Sequence, residues 1–179
     1  MRRLLLNLTT SLDGFIADRG GGIDWIQPFP DDGDGLPPDY LELMGSVDTL
    51  VMGRATYELS LSLDGGMDVF DGRRAVVFTS RTNLAPREGV EFVRTDAVTF
   101  VERLKRELGG VIWLYGGGQL ATALAAAGLI DDYLIVVQPV LLGDGIRLWQ
   151  SGLQMTRLEL VSTREWPGGL VELRYRPGR

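Results

Sequence analysis

Short apolar runs, most of them closed by glycine or a hydroxyl residue and followed by a helical segment, recur along this chain. They fix its fold class. Residues 4–8, 49–52, 75–79, 90–93, 111–115 and 133–137 are such runs, each the length of a buried strand. Between them, a helix is expected from Asp39 to near Gly45, with Tyr40, Leu41, Leu43 and Met44 on its apolar side. Another is expected over 54–61. Over 98–108, Val98, Val101, Leu104 and Leu108 recur at helical spacing, with Glu102, Arg103, Arg106 and Glu107 outside. Residues 119–127 are rich in alanine and leucine and end at Gly128. Strands separated by helices of this length predict βαβ units and a mostly parallel sheet. Two further strands, 158–163 and 171–176, flank Pro167-Gly168-Gly169 and read as a C-terminal antiparallel hairpin. No linker, repeat or second domain interrupts the pattern, so 1–179 reads as a single α/β domain.

Composition narrows the chemistry. The 179 residues contain no cysteine and no histidine. That excludes disulfides, thiol nucleophiles, zinc-thiolate sites, Ser-His-Asp triads and imidazole bases. Lys105 is the only lysine, and it lies in a charged helical stretch that suits a Schiff base poorly. Carboxylates, hydroxyls, arginines, backbone amides and a bound cofactor remain, and a cofactor can carry chemistry that side chains cannot. A net charge of −6 argues against a nucleic-acid binder. No apolar run approaches the length of a membrane helix. The start, Met1 to Leu6, has a faint signal-peptide character that Asn7, Thr9 and Thr10 break at once. A cytoplasmic protein is expected. The acidic stretch 31–34 matches no full calcium-binding loop and reads as solvated, so no metal site is expected.

Ligands of open α/β sheets bind beyond the carboxyl ends of the strands, so the strand-to-helix junctions matter most. At Met52-Gly53-Arg54-Ala55-Thr56 a buried strand meets a helix start, whose free amides, dipole, Arg54 and Thr56 hydroxyl suit an anion. A tight turn with a solvent-facing arginine explains the same residues. At Thr79-Ser80-Arg81, two hydroxyls and a forked donor suit a phosphate monoester, though a plain strand-end turn fits as well. At Tyr115-Gly116-Gly117-Gly118-Gln119-Leu120, three glycines in a row admit either a ligand against the backbone or close helix-on-sheet packing. The spacing is not the GxGxxG dinucleotide fingerprint. A fourth segment, SLDGFIA at 11–17, borders the same edge, followed by Asp24-Trp25.

Taken in order, SLDGFIA at 11–17, DW at 24–25, DTLVMGRATYE at 48–58, VVFTSR at 76–81 and IWLYGGGQLATALAAAGLIDDYLIVVQPVLLGDGIRLW at 112–149 resemble the dihydrofolate reductase-like superfamily. They look most like its branch related to the reductase domain of the bacterial bifunctional riboflavin biosynthesis deaminase/reductase. That resemblance implies a three-layer fold with a mostly parallel central sheet, NADPH binding and hydride transfer to a small heterocycle. The heterocycle would be like 5-amino-6-(5-phosphoribosylamino)uracil or like a pteridine. It implies that Gly53, Arg54 and Thr56 hold the pyrophosphate, and that Ser80 and Arg81 hold the adenosine 2′-phosphate. Gly116, Gly117, Gly118, Gln119 and Leu120 would cover the cofactor's phosphates and ribose. Gly14, Phe15, Ile16 and Ala17 would lie beside the nicotinamide. Trp25, Asp39 and Tyr115 are the candidates for contact with substrate, and Asp39 also for the proton donor.

The sequence departs from the riboflavin reductase pattern in two places. Tyr115 stands where a glutamate is usual, and the arginines that bind the phosphoribosyl group have no clear match. Asp39 is some residues out of register with the pterin-binding acid of dihydrofolate reductase, and a first-turn acid that favours the helix dipole explains it equally. Dihydrofolate reductase proper, or a non-catalytic nucleotide-binding module of the same fold, are the alternatives. The fused zinc deaminase domain of many riboflavin reductases needs His and Cys ligands that this chain lacks. A homodimer through the terminal strands is expected.

Overall fold

The computed structural model describes residues 1–28, 36–63, 65–66, 68–70 and 72–178. The acidic stretch 31–34, and with it the reading of a solvated loop, lies outside the described residues. Strand β1 (Leu4–Ser11) sits near the middle of the main sheet. Around it run β3 (Val47–Gly53), β4 (Arg74–Phe78), β5 (Val90–Val93), β6 (Val111–Gly116) and β7 (Asp132–Gln138). The hairpin β9 (Leu158–Trp166) and β10 (Leu170–Pro177) completes an eight-stranded order β5-β4-β3-β6-β1-β7-β10-β9. Neighbours are parallel from β5 to β7, and β10 and β9 are antiparallel. The parallel sheet and terminal hairpin read from the sequence are both present.

The central stretches of the parallel strands are mostly apolar because both of their faces are covered. Leu4 and Leu6 of β1, Ile112 and Leu114 of β6, and Val51 and Val76 face one layer. There they meet Phe100, Val101 and Leu104 of α3 (Ala97–Arg106) and Leu120, Ala121 and Leu124 of α4 (Gly118–Ala126). The alternate residues face the other way. Leu50, Met52, Ala75 and Val77 pack with Tyr57 of α2 (Arg54–Ser62), while Leu5, Leu134 and Val136 pack against Tyr40, Leu43 and Met44 of α1 (Pro38–Gly45). Period-two alternation along the strands thus builds three layers from one sheet.

Three local expectations change. The α3 pattern stops before Leu108, which is fully exposed. The backbone is already extended at the C-cap, Glu107, and a side chain at Gly109 would meet the Arg2 guanidinium 2.9 Å away. Lys105 is buried rather than on a charged face. Its Nζ donates to the Leu129 carbonyl at 2.6 Å and pairs with Asp131 at 2.5 Å, and Asp131 also accepts from the Leu4 amide at 2.7 Å. The only lysine is thus consumed in fastening α3 to the amino end of β1, far along the strand from the carboxyl edge. The glycine-rich loop contains a strand that the sequence reading lacked: β2 (Phe15–Ala17) pairs with β8 (Ile146–Arg147) in a separate two-stranded ladder.

The outer edge of β9 has no partner strand among the described residues, and Leu158, Leu160 and Val161 are exposed on that strand. This is the edge through which the sequence reading expects a homodimer. No described helix is long and apolar enough to cross a membrane.

Removing the Lys105 charge leaves a half-buried Asp131 without its cation. Lys105→Met should lower stability by about 1–2 kcal/mol, or about 2–8 °C in Tm. Thermal unfolding measures it, and an unchanged Tm would mean that the pair contributes nothing.

Candidate active site

Strands β3 and β6 are hydrogen-bonded neighbours, with Met52 opposite Gly116. They finish at the same edge, and helices α2 and α4 start there side by side. Neither helix has a side-chain cap: Gly53 and Gly117 occupy the N-cap positions. By contrast α3, which contributes nothing to the cavity described below, is capped by the Asp96 carboxylate on the Thr99 amide at 2.8 Å. Uncapped first-turn amides, with the positive ends of two helix dipoles, leave a site that favours an anion.

The three glycines at the end of β6 and just after it have three different reasons. Gly117 has φ +72°, a conformation other residues rarely adopt. Gly116 lies against Thr56, where an added Cβ would sit 3.1 Å from the Thr56 methyl. At Gly118 an added Cβ would lie 2.2 Å from the Arg147 carbonyl oxygen, so close packing of the β8 segment fills that space and no ligand can. Of the two readings of the run, packing accounts for Gly118. Gly53 has open space around it and an ordinary backbone, so what it provides is room.

A cavity of about 530 Å³ opens at this edge. Thr56, Gly116 and Gly117 line it at the helix starts, Ile16 and Ala17 on β2, and Tyr115 on β6. These expected residues are therefore brought together. Others are placed differently. The Phe15 side chain is buried, with the Arg147 guanidinium 4.5 Å from its ring centre, and does not line the cavity. The Gly14 carbonyl accepts from the Leu148 amide at 3.1 Å, which ties the β1–β2 loop to the β8 segment. The Gln119 side chain is exposed and the Leu120 side chain belongs to the core, so any contact from these two toward the helix start is through backbone amides.

Arg54 and Arg81 both pair with Glu58, Arg81 at 3.5 Å, and Glu58 lines the cavity. Ser80 and Arg81 are exposed just beyond it. Trp25 is partly buried, with its Nε1 enclosed and without a partner, but its neighbours Ile23 and Ile26 line the cavity and it does not.

Asp39 lies outside the cavity and does not serve there as an acid. It pairs with Arg164 and Arg174 of the terminal hairpin at 3.0 Å each. Burial pushes its carboxyl up, but the Arg164 hydrogen bond and the charges of Arg174 and Arg164 outweigh this and hold it below the usual carboxylate range. A carboxylate held ionised by two guanidiniums is a poor proton donor near neutral pH. Its place in the first turn of α1 is the dipole-favoured one. The helix presents Tyr40 to the cavity instead.

Asn7, Tyr40, Glu58 and Trp113 line the cavity without having been singled out from the sequence. Asn7 could have been: it is the one polar residue inside the run Leu4 to Leu8. Glu58 stands four residues after Arg54, the spacing of a helical ion pair. The Asn7 side-chain amide donates to the Tyr40 hydroxyl at 3.4 Å, and the Trp113 indole donates to the Asn7 backbone carbonyl at 2.8 Å. Trp113 and Tyr115 meet edge to face, 5.0 Å between ring centres.

The fold and the cavity define a dihydrofolate reductase-like α/β domain. The chain belongs to the RibD C-terminal domain family, which it matches over residues 2–171. It is 35% identical over 174 residues to the uncharacterized protein YwjB of Bacillus subtilis (strain 168), covering 97% of each chain. A putative riboflavin biosynthesis protein from Shewanella sp. PV-4 is similar over the full length of both chains, with 26% identity and a TM-score of 0.81. A dihydrofolate reductase from Enterococcus faecalis, complexed with NADP(H), shares the fold with 19% identity and a TM-score of 0.70, over 99% of this chain and 97% of its own.

The loop that carries Ile16 and Ala17 is pinned by Asp13. Its carboxylate accepts from the Ser11 hydroxyl at 2.6 Å and from the amides of Gly143 at 2.8 Å and Leu142 at 3.2 Å. The Ser11 hydrogen bond is the largest influence on its pKa and, with the two amides, keeps it low against a smaller effect of burial. A carboxylate whose folded pKa is depressed stabilises the fold above its unfolded value, about 3.9, and loses that contribution as pH falls through the folded value. Asp13→Asn should therefore lower Tm at pH 7, and the gap to the parent protein should close as pH drops below about 4. Parallel Tm curves down to pH 3 would contradict the ionised pin.

Proposed function

We propose that this chain is an NADPH-dependent reductase that reduces a small planar heterocycle. One observation carries the reading: two uncapped helix starts, side by side at the ends of β3 and β6, open onto a cavity whose remaining wall is mostly apolar and aromatic. A dinucleotide has this division, with an anionic middle and a flat, weakly polar end.

The residues present fit such a group. Gly53 leaves open space where the α2 amides are free, and Thr56 and Gly117 continue the same surface. In this reading Gly53, Arg54 and Thr56 hold the pyrophosphate, and Gly116, Gly117 and the backbone of Gly118, Gln119 and Leu120 hold the adjoining phosphate and ribose. Ser80 and Arg81 bind the 2′-phosphate, where a guanidinium serves as a forked donor. Ile16 and Ala17 flank the nicotinamide, held by the turn at Gly14 and the buried Phe15. When bound, NADPH supplies the hydride. The protein's own part is to orient the substrate ring between Tyr115, Trp113 and the β2 segment and to exclude bulk water there. With Asp39 tied to two arginines outside the cavity, it is not the proton source, and the dihydrofolate reductase reading loses the acid that would have favoured it.

Arg81→Ala should weaken NADPH binding roughly ten-fold or more while changing NADH little, because a hydrogen bond between two charged groups is lost only where the 2′-phosphate exists. Quenching of tryptophan fluorescence on titration with each dinucleotide measures both affinities. Equal losses for the two would contradict the role of Arg81.

A further inference from the structure

We propose that the ring reduced at this site carries no phosphate, and that the substrate is an uncharged planar heterocycle recognised through neutral hydrogen bonds. The inference rests on the cofactor reading above and concerns the other half of the same cavity.

A bound phosphate monoester needs cations, because removing a dianion from water without a countercharge is costly. No arginine or lysine lines the cavity among the described residues. Glu58 is its one charged side chain, and it already answers Arg54 and Arg81 at the cofactor's end.

Arg19 and Arg147 adjoin the lining residues Gly20 and Ile146 but do not line the cavity: Arg19 pairs with Asp144, and Arg147 lies over the Phe15 ring. Behind α1, Arg164 and Arg174 pair with Asp39, and Arg174 also with Glu172, so two positive charges meet two negative ones; neither arginine lines the cavity. A phosphate on the substrate would thus meet no arginine or lysine on the cavity wall among the described residues, in a chain whose net charge is −6.

What the cavity offers instead is neutral. The Asn7 side chain is almost fully buried and lines it, and its amide nitrogen makes long hydrogen bonds among the described residues, 3.4 Å to the Tyr40 hydroxyl and 3.7 Å to the Met44 sulfur. An amide donates and accepts at once, so Asn7 with Tyr40 can pair with the lactam or amidine edge of a ring. Trp113, fixed by its bond to the Asn7 carbonyl, and Tyr115 supply flat surface beside that pair. A flat ring with an amide-like edge is the shape and polarity that these groups match.

Matched pairs of ligands test this. Riboflavin and FMN, uridine and UMP, and 5-amino-6-ribosylaminouracil with and without its 5-phosphate are titrated into the full chain by calorimetry, both with and without saturating NADP+. At least one unphosphorylated ring should bind, about ten-fold tighter than its phosphorylated partner at low salt. The gap should narrow as ionic strength rises. Tighter binding of the phosphorylated partner in any pair, or no binding of any ring to protein that does bind NADP+, would overturn the proposal. Failure of NADP+ itself to bind would instead overturn the cofactor reading, and the titrations without it still compare the ring pairs.

Discussion

The structure depends on one arrangement: two neighbouring parallel strands that end together, each followed by a helix that begins without a side-chain cap. Parallel pairing of β3 with β6 puts those helix starts next to each other, and the glycines at Gly53 and Gly117 withhold the side-chain cap that α3 receives from Asp96. Buried amides without acceptors are costly unless water or a ligand meets them. The stability that caps would have given α2 and α4, of the order of 1 kcal/mol each, is thus forgone at the one edge where a ligand can replace it.

The surrounding parts keep that edge in shape. On one side, β2 and β8 form a small ladder held by Asp13, the Gly14 carbonyl and the close fit of Gly118 against the Arg147 backbone. On the other, α1 has no buried residue of its own, and it is fastened to the sheet by Tyr40, Leu43 and Met44 and by the Asp39 ion pairs to the terminal hairpin. The hairpin thus reaches the cavity indirectly, by holding the helix that presents Tyr40. Lys105 and Asp131 do the equivalent work at the opposite end of β1.

The layers were legible in the sequence because burial on both faces makes the central stretches of parallel strands mostly apolar, and the glycines and caps mark where helices begin and end. What depends on distant contacts was not. Leu108 kept helical spacing, yet the helix ends at Arg106, and Arg2, from the other end of the chain, lies against Gly109 just beyond it. The β2–β8 ladder is too short to leave a periodic signal. At the site, Thr56, Tyr115 and the glycines at the strand ends were readable because strand-to-helix junctions are local. Asp39 was misplaced because its partners, Arg164 and Arg174, lie more than a hundred residues away and turn a free acid into a clamp. Asn7 and Tyr40 meet only once α1 is laid across β1, and no spacing in the sequence announces that meeting.

The central claim is that the free amides at the starts of α2 and α4 receive the cofactor's phosphates. Titrating NADP+ into isotopically labelled protein and following backbone amides by NMR tests it directly. The amide signals of Arg54, Ala55 and Thr56 in α2, and of Gly118 and Gln119 in α4, should shift together and saturate with a single affinity, while the capped start of α3 stays unmoved. Saturable binding that leaves the α2 and α4 amides unshifted would contradict the account.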